Sequence, residues 1–222
     1  MTARFAPRLD VLPGAQRALW PKLAPLADLN WVLYGGTAVA LRLGHRRSVD
    51  FDFFHDQALD RSKLRFLLPW LAKAKVLQDD VDTLTVLAGG ARTGVKVSFF
   101  GRITFGRVGA PGLTRDGVAC VASGIDLLAT KLKVLLQRVE SKDYRDVAAL
   151  LRARTGLARG LGAACALFGP TFQPNEALKA LVYFEGGDLA DLDAADRRTL
   201  IAAVRKIRQF PTVQLTAPHL GR

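Results

Sequence analysis

The stretch that decides the fold runs Leu33-Tyr-Gly-Gly-Thr-Ala-Val-Ala-Leu-Arg-Leu-Gly-His-Arg-Arg-Ser-Val-Asp-Phe-Asp-Phe-Phe54. It begins inside a short apolar run, Trp31-Val32-Leu33-Tyr34, of the kind that makes a buried strand. Gly35-Gly36 ends that run, and the apolar residues Ala38, Val39 and Leu41 predict a helix that stops at Gly44. Residues 48–54 then alternate, with Val49, Phe51 and Phe53 on one side and Asp50 and Asp52 on the other, the period of a strand with one buried face.

Two features of this stretch bear chemistry. A glycine pair lets the backbone turn sharply and approach a ligand closely. The unpaired N–H groups of the helix that follows make an anion site suited to phosphate, although a glycine pair alone reads equally well as a plain turn. Asp50 and Asp52 lie on one face of their strand, about 7 Å apart. Unpaired buried charge is too costly for them to be core residues, so they are either solvated or gathered around a cation. Oxygen-only ligands favour Mg²⁺, which keeps waters and shares substrate phosphates. One helix and one loop separate the acid pair from Gly36, enough for the second strand to return beside the first and present both carboxylates to the glycine turn.

Working outward, residues 14–28 read as a helical entry segment broken by Pro21 and Pro25, and residues 61–75 as a helix. Residues 83–87 and 95–100 are β-type runs around Gly89-Gly90-Ala91-Arg92-Thr93-Gly94, which predicts a hairpin. A further short strand is expected at 118–121. Ser123, followed three residues later by Asp126, resembles a capping box with Asp for the usual Glu. Beyond it the chain is helical in pattern: one long segment over 125–152, continuous or broken, then 176–184 and 196–209. The expected fold class is α+β, with a boundary near residue 122.

The long helical segment contains Lys131-Leu-Lys-Val-Leu-Leu-Gln-Arg138-Val-Glu-Ser-Lys142-Asp143-Tyr-Arg-Asp146. On a continuous helix Lys131, Arg138 and Lys142 fall within about 40° of one another and Asp146 about 60° from Lys131. Leu128, Leu132, Leu135 and Val139 form the adjoining apolar stripe, and Lys133 points the opposite way, into solvent. The basic row is either a group reaching into a cleft or a solvated flank with local ion pairs.

Composition narrows the classes. The chain has 222 residues, 50% hydrophobic and 23% charged, which excludes collagen-like and wholly disordered readings. There are 32 Lys+Arg against 20 Asp+Glu, a net charge of +12, and 22 of the 32 bases are Arg. That balance suits a polyanionic partner, nucleic acid or an acidic protein, and a codon bias toward Arg would produce it too. Cys120 and Cys165 sit among small apolar residues, which predicts buried free thiols rather than a disulfide framework. The N-terminus lacks the apolar run of a signal peptide, and the apolar stretch around 160–170 is too short for a membrane span. The expectation is a soluble, cytoplasmic protein with no membrane partner.

The segment 33–54 resembles the first motif of the AbiEii/AbiGii nucleotidyltransferase-toxin family, part of the DNA polymerase β-like nucleotidyltransferase superfamily. The His45-Arg46-x-Ser48 element ahead of the acid pair carries that resemblance more specifically than the glycines do. Lys131-x6-Arg138-x3-Lys142-Asp143-x2-Asp146 resembles the family's downstream helical motif. The resemblance implies a nucleotidyltransferase core over residues 1–122, a mixed sheet with flanking helices, and a helical domain over 123–222 that completes the cleft. It implies transfer of a nucleotide from an NTP with two Mg²⁺ ions, Mn²⁺ being an alternative. Gly35, Gly36, Thr37 and Ser48 would then hold the nucleotide, and Asp50 and Asp52 the metal. Lys131 would contact the phosphates, with Arg138, Lys142, Asp143 and Asp146 completing the site. Members pair with a separate antitoxin, and some modify tRNA ends. Arg46, Arg47, Arg152 and Arg154, with Arg42 and Arg159, are the candidate contacts to RNA phosphate. One departure stands out: many polymerase β-like transferases carry a third carboxylate on a later strand, and the matching position here is Ser98.

Overall fold

The computed structural model describes residues 3–90 and 93–221. Met1, Thr2, Ala91, Arg92 and Arg222 lie outside them, so two positions of the predicted glycine-rich turn are not described. The chain divides into two compact units. The first holds the residues up to Gly106, Ala110–Ala122 and those from Pro218 on; the second holds Arg107–Gly109 and Ser123–Ala217.

The first unit contains, in chain order, β1 (Arg4–Phe5), α1 (Gly14–Leu19), α2 (Pro25–Asp28), β2 (Val32–Tyr34), α3 (Gly35–Leu43), β3 (Asp50–Phe54), α4 (Arg61–Leu67), β4 (Lys75–Asp80), β5 (Thr83–Ala88), β6 (Val95–Phe100), β7 (Gly112–Thr114) and β8 (Cys120–Val121). Its strands form one mixed sheet in the order β1-β7-β8-β2-β3-β6-β5-β4. β2 and β3 are antiparallel with Tyr34 opposite Asp52, and β3 runs parallel to β6 with Asp50 opposite Lys96 and Asp52 opposite Ser98. The alternation in β3 is realised in packing: Phe51 and Phe53 are completely buried, with Phe51 stacked on Trp20 at 5.9 Å and Phe53 on Phe99 at 6.0 Å. Burying each ring contributes about 1.5–3 kcal/mol, and a slip of one residue would expose the rings and bury the acids. The β5–β6 hairpin forms as expected. The helix expected over 61–75 ends earlier, because Pro69 disfavours helical backbone at Leu68. The chain continues into β4, an edge strand whose every residue is exposed.

The second unit is helical: α5 (Gly124–Val134), α6 (Ser141–Arg152), α7 (Leu157–Phe168), α8 (Pro174–Ala180) and α9 (Ala194–Arg205). Ser123 caps α5, accepting from the Asp126 N–H at 3.2 Å. The buried Asp126 carboxylate in turn accepts the Val108 and Gly109 N–H groups at 2.8 and 3.0 Å. α5 packs on α7 through Gly160, where a Cβ would lie 2.5 Å from Leu128 Cδ2. The long helical segment over 125–152 is the broken form, two helices, α5 and α6. A distant loop makes the break: Gly187, at φ +52, brings its backbone so close to Val139 that a Cβ there would lie 2.0 Å from the Val139 carbonyl oxygen. Asp188 beside it then caps α6, accepting from the Ser141 N–H at 2.5 Å and the Ser141 hydroxyl at 2.9 Å. Those two bonds hold the Asp188 carboxyl below its ordinary pKa. Cys120 is buried and Cys165 only half-buried, both as free thiols. Among the described residues no helix is long and apolar enough to cross a membrane.

Candidate active site

In the first unit the site is built on the β2–α3–β3 turn. The chain leaves β2 through Tyr34 and enters α3 at Gly35, whose φ of +73 is a left-handed conformation that a side chain would strain. A Cβ at Gly35 would also lie 2.5 Å from Asp52 Oδ2. The β2/β3 register therefore sets the Asp52 carboxylate directly against the first turn of α3, a closeness only glycine permits. The N-cap residue, Tyr34, makes no side-chain capping bond to this helix. The Thr37 hydroxyl donates to the Asp50 carbonyl and shares a 2.8 Å hydrogen bond with the Ser48 hydroxyl. Both residues are buried. The two hydroxyls tie the start of α3 to the start of β3.

Asp50 and Asp52 share the sheet face with their register partners Lys96 and Ser98. Lys96 Nζ lies 3.3 Å from Asp50 Oδ2, with both side chains substantially exposed. Lys96 is the residue that reading the sequence missed; its signal was its place two residues before Ser98 in the same alternation. Ser98 is buried and accepts a hydrogen bond from the Thr85 hydroxyl at 3.3 Å. The position beside Asp52 thus carries a neutral group already bound within the sheet. Among the described residues no three His, Cys, Asp or Glu side chains converge as a metal cluster. Two half-exposed carboxylates without a third fit a hard cation that retains water and completes its shell with phosphate oxygens, as Mg²⁺ does. They do not fit a closed, all-protein cage. Beside them the Tyr34 and Phe54 rings stack at 4.8 Å.

In the second unit Lys131, 5% exposed, extends between two carboxylates, with Nζ 2.6 Å from Asp143 Oδ1 and 2.6 Å from Asp146 Oδ2. Arg138, in the α5–α6 connection, donates to Asp143 at 2.8 and 3.2 Å. Burial pushes the Asp143 carboxyl up, but the bonds and charges of Arg138 and Lys131 outweigh it and hold its pKa below the ordinary value. These four residues are brought together by the turn between two helices rather than by one helical face, so the continuous-helix angles do not describe them. Lys142 is not in the cluster; it is exposed and pairs with Glu140 at 2.5 Å. Lys133, expected in solvent, is half-buried, donates to the Thr171 carbonyl and lies over the Phe168 ring.

The candidate RNA contacts divide. Arg47, Arg154 and Arg159 are exposed, and Arg46 donates to the Arg47 carbonyl at 2.9 Å. Arg42 is a structural residue: it donates to Ala122 and Val121 carbonyls at 2.8 and 2.9 Å and lies over the Phe5 ring. Arg152 pairs with Asp196 at 2.7 Å.

Comparison with known proteins places this arrangement. The family described as nucleotidyl transferase AbiEii toxin of the type IV toxin–antitoxin systems matches residues 23–209. An uncharacterized protein of Aquifex aeolicus (strain VF5) is 30% identical over 177 residues, covering 78% of this chain and 84% of that protein. MenT4, a nucleotidyltransferase toxin from Mycobacterium tuberculosis H37Rv, superposes with a TM-score of 0.55 at 15% identity, over 86% of this chain and 87% of its own; at that identity the likeness is one of fold. Since the family match runs through both units, the chain belongs to the AbiEii nucleotidyltransferase toxin family of type IV toxin–antitoxin systems.

Proposed function

We propose that the protein transfers the nucleoside monophosphate of an NTP to a hydroxyl of an RNA, tRNA being the first candidate, or of a protein. It would act in the cytoplasm as the toxin opposed by a cognate antitoxin. The observation that carries this reading is the contact between the two halves of the turn: a carboxylate, Asp52, held against the first turn of α3 at Gly35. Phosphate and acid repel, so a site that sets an anion-binding helix end beside a carboxylate makes chemical sense with a cation between them.

Asp50 and Asp52 would hold Mg²⁺, or Mn²⁺ in its place; when bound, the ion would draw charge from the triphosphate and favour departure of pyrophosphate. The N–H groups of Gly35, Gly36 and Thr37 would orient the phosphates, while the Thr37 and Ser48 hydroxyls keep α3 and β3 in register. Lys131 uses two of its three N–H donors on Asp143 and Asp146. The acceptor hydroxyl's proton has no carboxylate waiting at the Ser98 position, which favours slow transfer and supports, as a second reading, a catalytically weak nucleotide- or nucleic-acid-binding module on this fold.

Incubation with each of the four α-³²P-labelled NTPs, Mg²⁺ and total RNA tests the proposal. Label appearing in RNA or in protein with one NTP, and lost on chelation by EDTA, is the expected result. RNA binding without transfer from any NTP would overturn it in favour of the binding module.

A further inference from the structure

The first unit carries another surface whose composition the transfer reaction does not account for. Between the segment leading into α2 and the one following α4 lies a groove of about 760 Å³ lined by Pro21, Pro25, Pro69 and Trp70, with the exposed Lys22 and Lys73 at its rim. A second depression of about 400 Å³ shares Lys22, Trp70 and Lys73, so the two hollows meet at this one indole. The Trp70 Nε1–H is buried with no hydrogen-bond partner among the described residues. Phe66, on α4, is 83% exposed. Residues 61–78 contain five basic residues and no acid. No acidic side chain lines either hollow. Lys22 and Lys73 have no ion-pair partner among the described residues.

We infer that this surface docks an acidic protein segment that seats one apolar side chain in the groove. A half-buried indole in an apolar hollow is the composition of a protein interface rather than of a solvated face. Two unpaired ammonium groups at the rim call for carboxylates on the partner, and their complementarity sets which segments dock and how fast they arrive. The floor of proline rings suits an aliphatic or aromatic side chain inserted end-on. A nucleic-acid base needs an open ring to stack upon, and this half-buried indole sits among prolines.

The test pans a phage-displayed library of random 12-residue peptides on the full-length protein, with the double variant Lys22→Glu/Lys73→Glu as the counter-selection. Both substitutions are at exposed positions, and circular dichroism confirms that the variant folds. Peptides enriched on the wild type and lost on the variant are expected to carry Leu, Phe or Trp flanked by at least two acids. A synthetic member should change the indole fluorescence on binding and lose tenfold or more in affinity with Lys22→Glu/Lys73→Glu. It should bind the Arg205→Glu/Lys206→Glu variant, altered on α9, as it binds the wild type. Enrichment that the counter-selection does not remove, or enriched peptides lacking acids, overturns the inference. So does equal loss of binding by all the charge-reversed variants, which marks attraction by net charge alone. Displacement of the peptide by 12-nucleotide oligouridylate, with RNA binding lost in Lys22→Glu/Lys73→Glu, assigns the surface to RNA instead.

Discussion

Two close pairs of aspartates in this protein, Asp50 with Asp52 and Asp143 with Asp146, are held in opposite ways. Asp50 and Asp52 stand on β3 in surroundings that water reaches, and Asp50 meets one partly exposed ammonium at 3.3 Å. Asp143 and Asp146 stand on α6 with fully buried side chains, and the buried Lys131 bonds both. The residue type is the same and the physics is not. In a dry interior a carboxylate must be matched by a cation at hydrogen-bond distance or it destabilises the fold. On a half-open sheet face it can wait for a cation that arrives with substrate. The second pair therefore locks a helical hairpin, and the first is the pair proposed above to hold a cation.

The largest test of that contrast is Lys131→Met, which leaves two buried carboxylates without their shared ammonium and should cost about 3–5 kcal/mol in urea unfolding. A loss under 1 kcal/mol would dissolve the distinction. Asp52→Asn is expected to do the reverse, leaving the melting temperature within about 2 °C while transfer falls about 100-fold or more, the equivalent of roughly 2.7 kcal/mol of barrier. A collapse in melting temperature would make Asp52 a structural acid. Gly35→Ala should lie between, with about 1–2 kcal/mol from the left-handed backbone and a matching fall in transfer as the new Cβ displaces the Asp52 carboxylate; intact transfer would show that this contact is not needed. Lys142→Ala should change stability by less than about 0.5 kcal/mol, since its pair with Glu140 is exposed.

Acid sharpens the comparison within the helical unit. The folded-state pKa of Asp143 is depressed, so its contribution to stability is present above the unfolded value of about 3.9 and is lost as pH falls through the folded value. Asp126 has the opposite sign. Burial outweighs the hydrogen bonds from Ser123, Val108 and Gly109 and raises its carboxyl, so its contribution is present below the unfolded value and is lost as pH rises through the folded one. Thermal unfolding followed from pH 7 to pH 3 should show a falling acid limb that Asp143→Asn flattens and Asp126→Asn does not.

Reading the residues in order recovers some elements and not others, for identifiable reasons. β3 is legible because phenylalanine and aspartate alternate with the pleat. β4 is not, because Lys75 to Asp80 are all exposed and an edge strand with no buried face leaves no periodicity to detect. Angular positions on a helix assume that the helix continues, and the α5–α6 break removes that assumption for Arg138, Lys142 and Asp146. The hydroxyls of Thr37 and Ser48 have the chemistry of phosphate ligands in sequence; that they bond each other is set by the packing of α3 on β3, which a spacing of eleven residues does not reveal.

What the sequence determines by itself is local: the strand, the glycine turn, the helix it starts and the alternating acids, each set by spacing over a few residues. Tertiary structure decides the pairings. Lys96 comes beside Asp50 only because β6 lies parallel to β3. Lys131 finds Asp143 and Asp146 only because the chain turns back, and it turns there because Gly187 and Asp188, far along the chain, press on Val139 and cap Ser141. Short-range periodicity encodes which face of an element is apolar; which charge meets which depends on the path between them, and that path is set by packing.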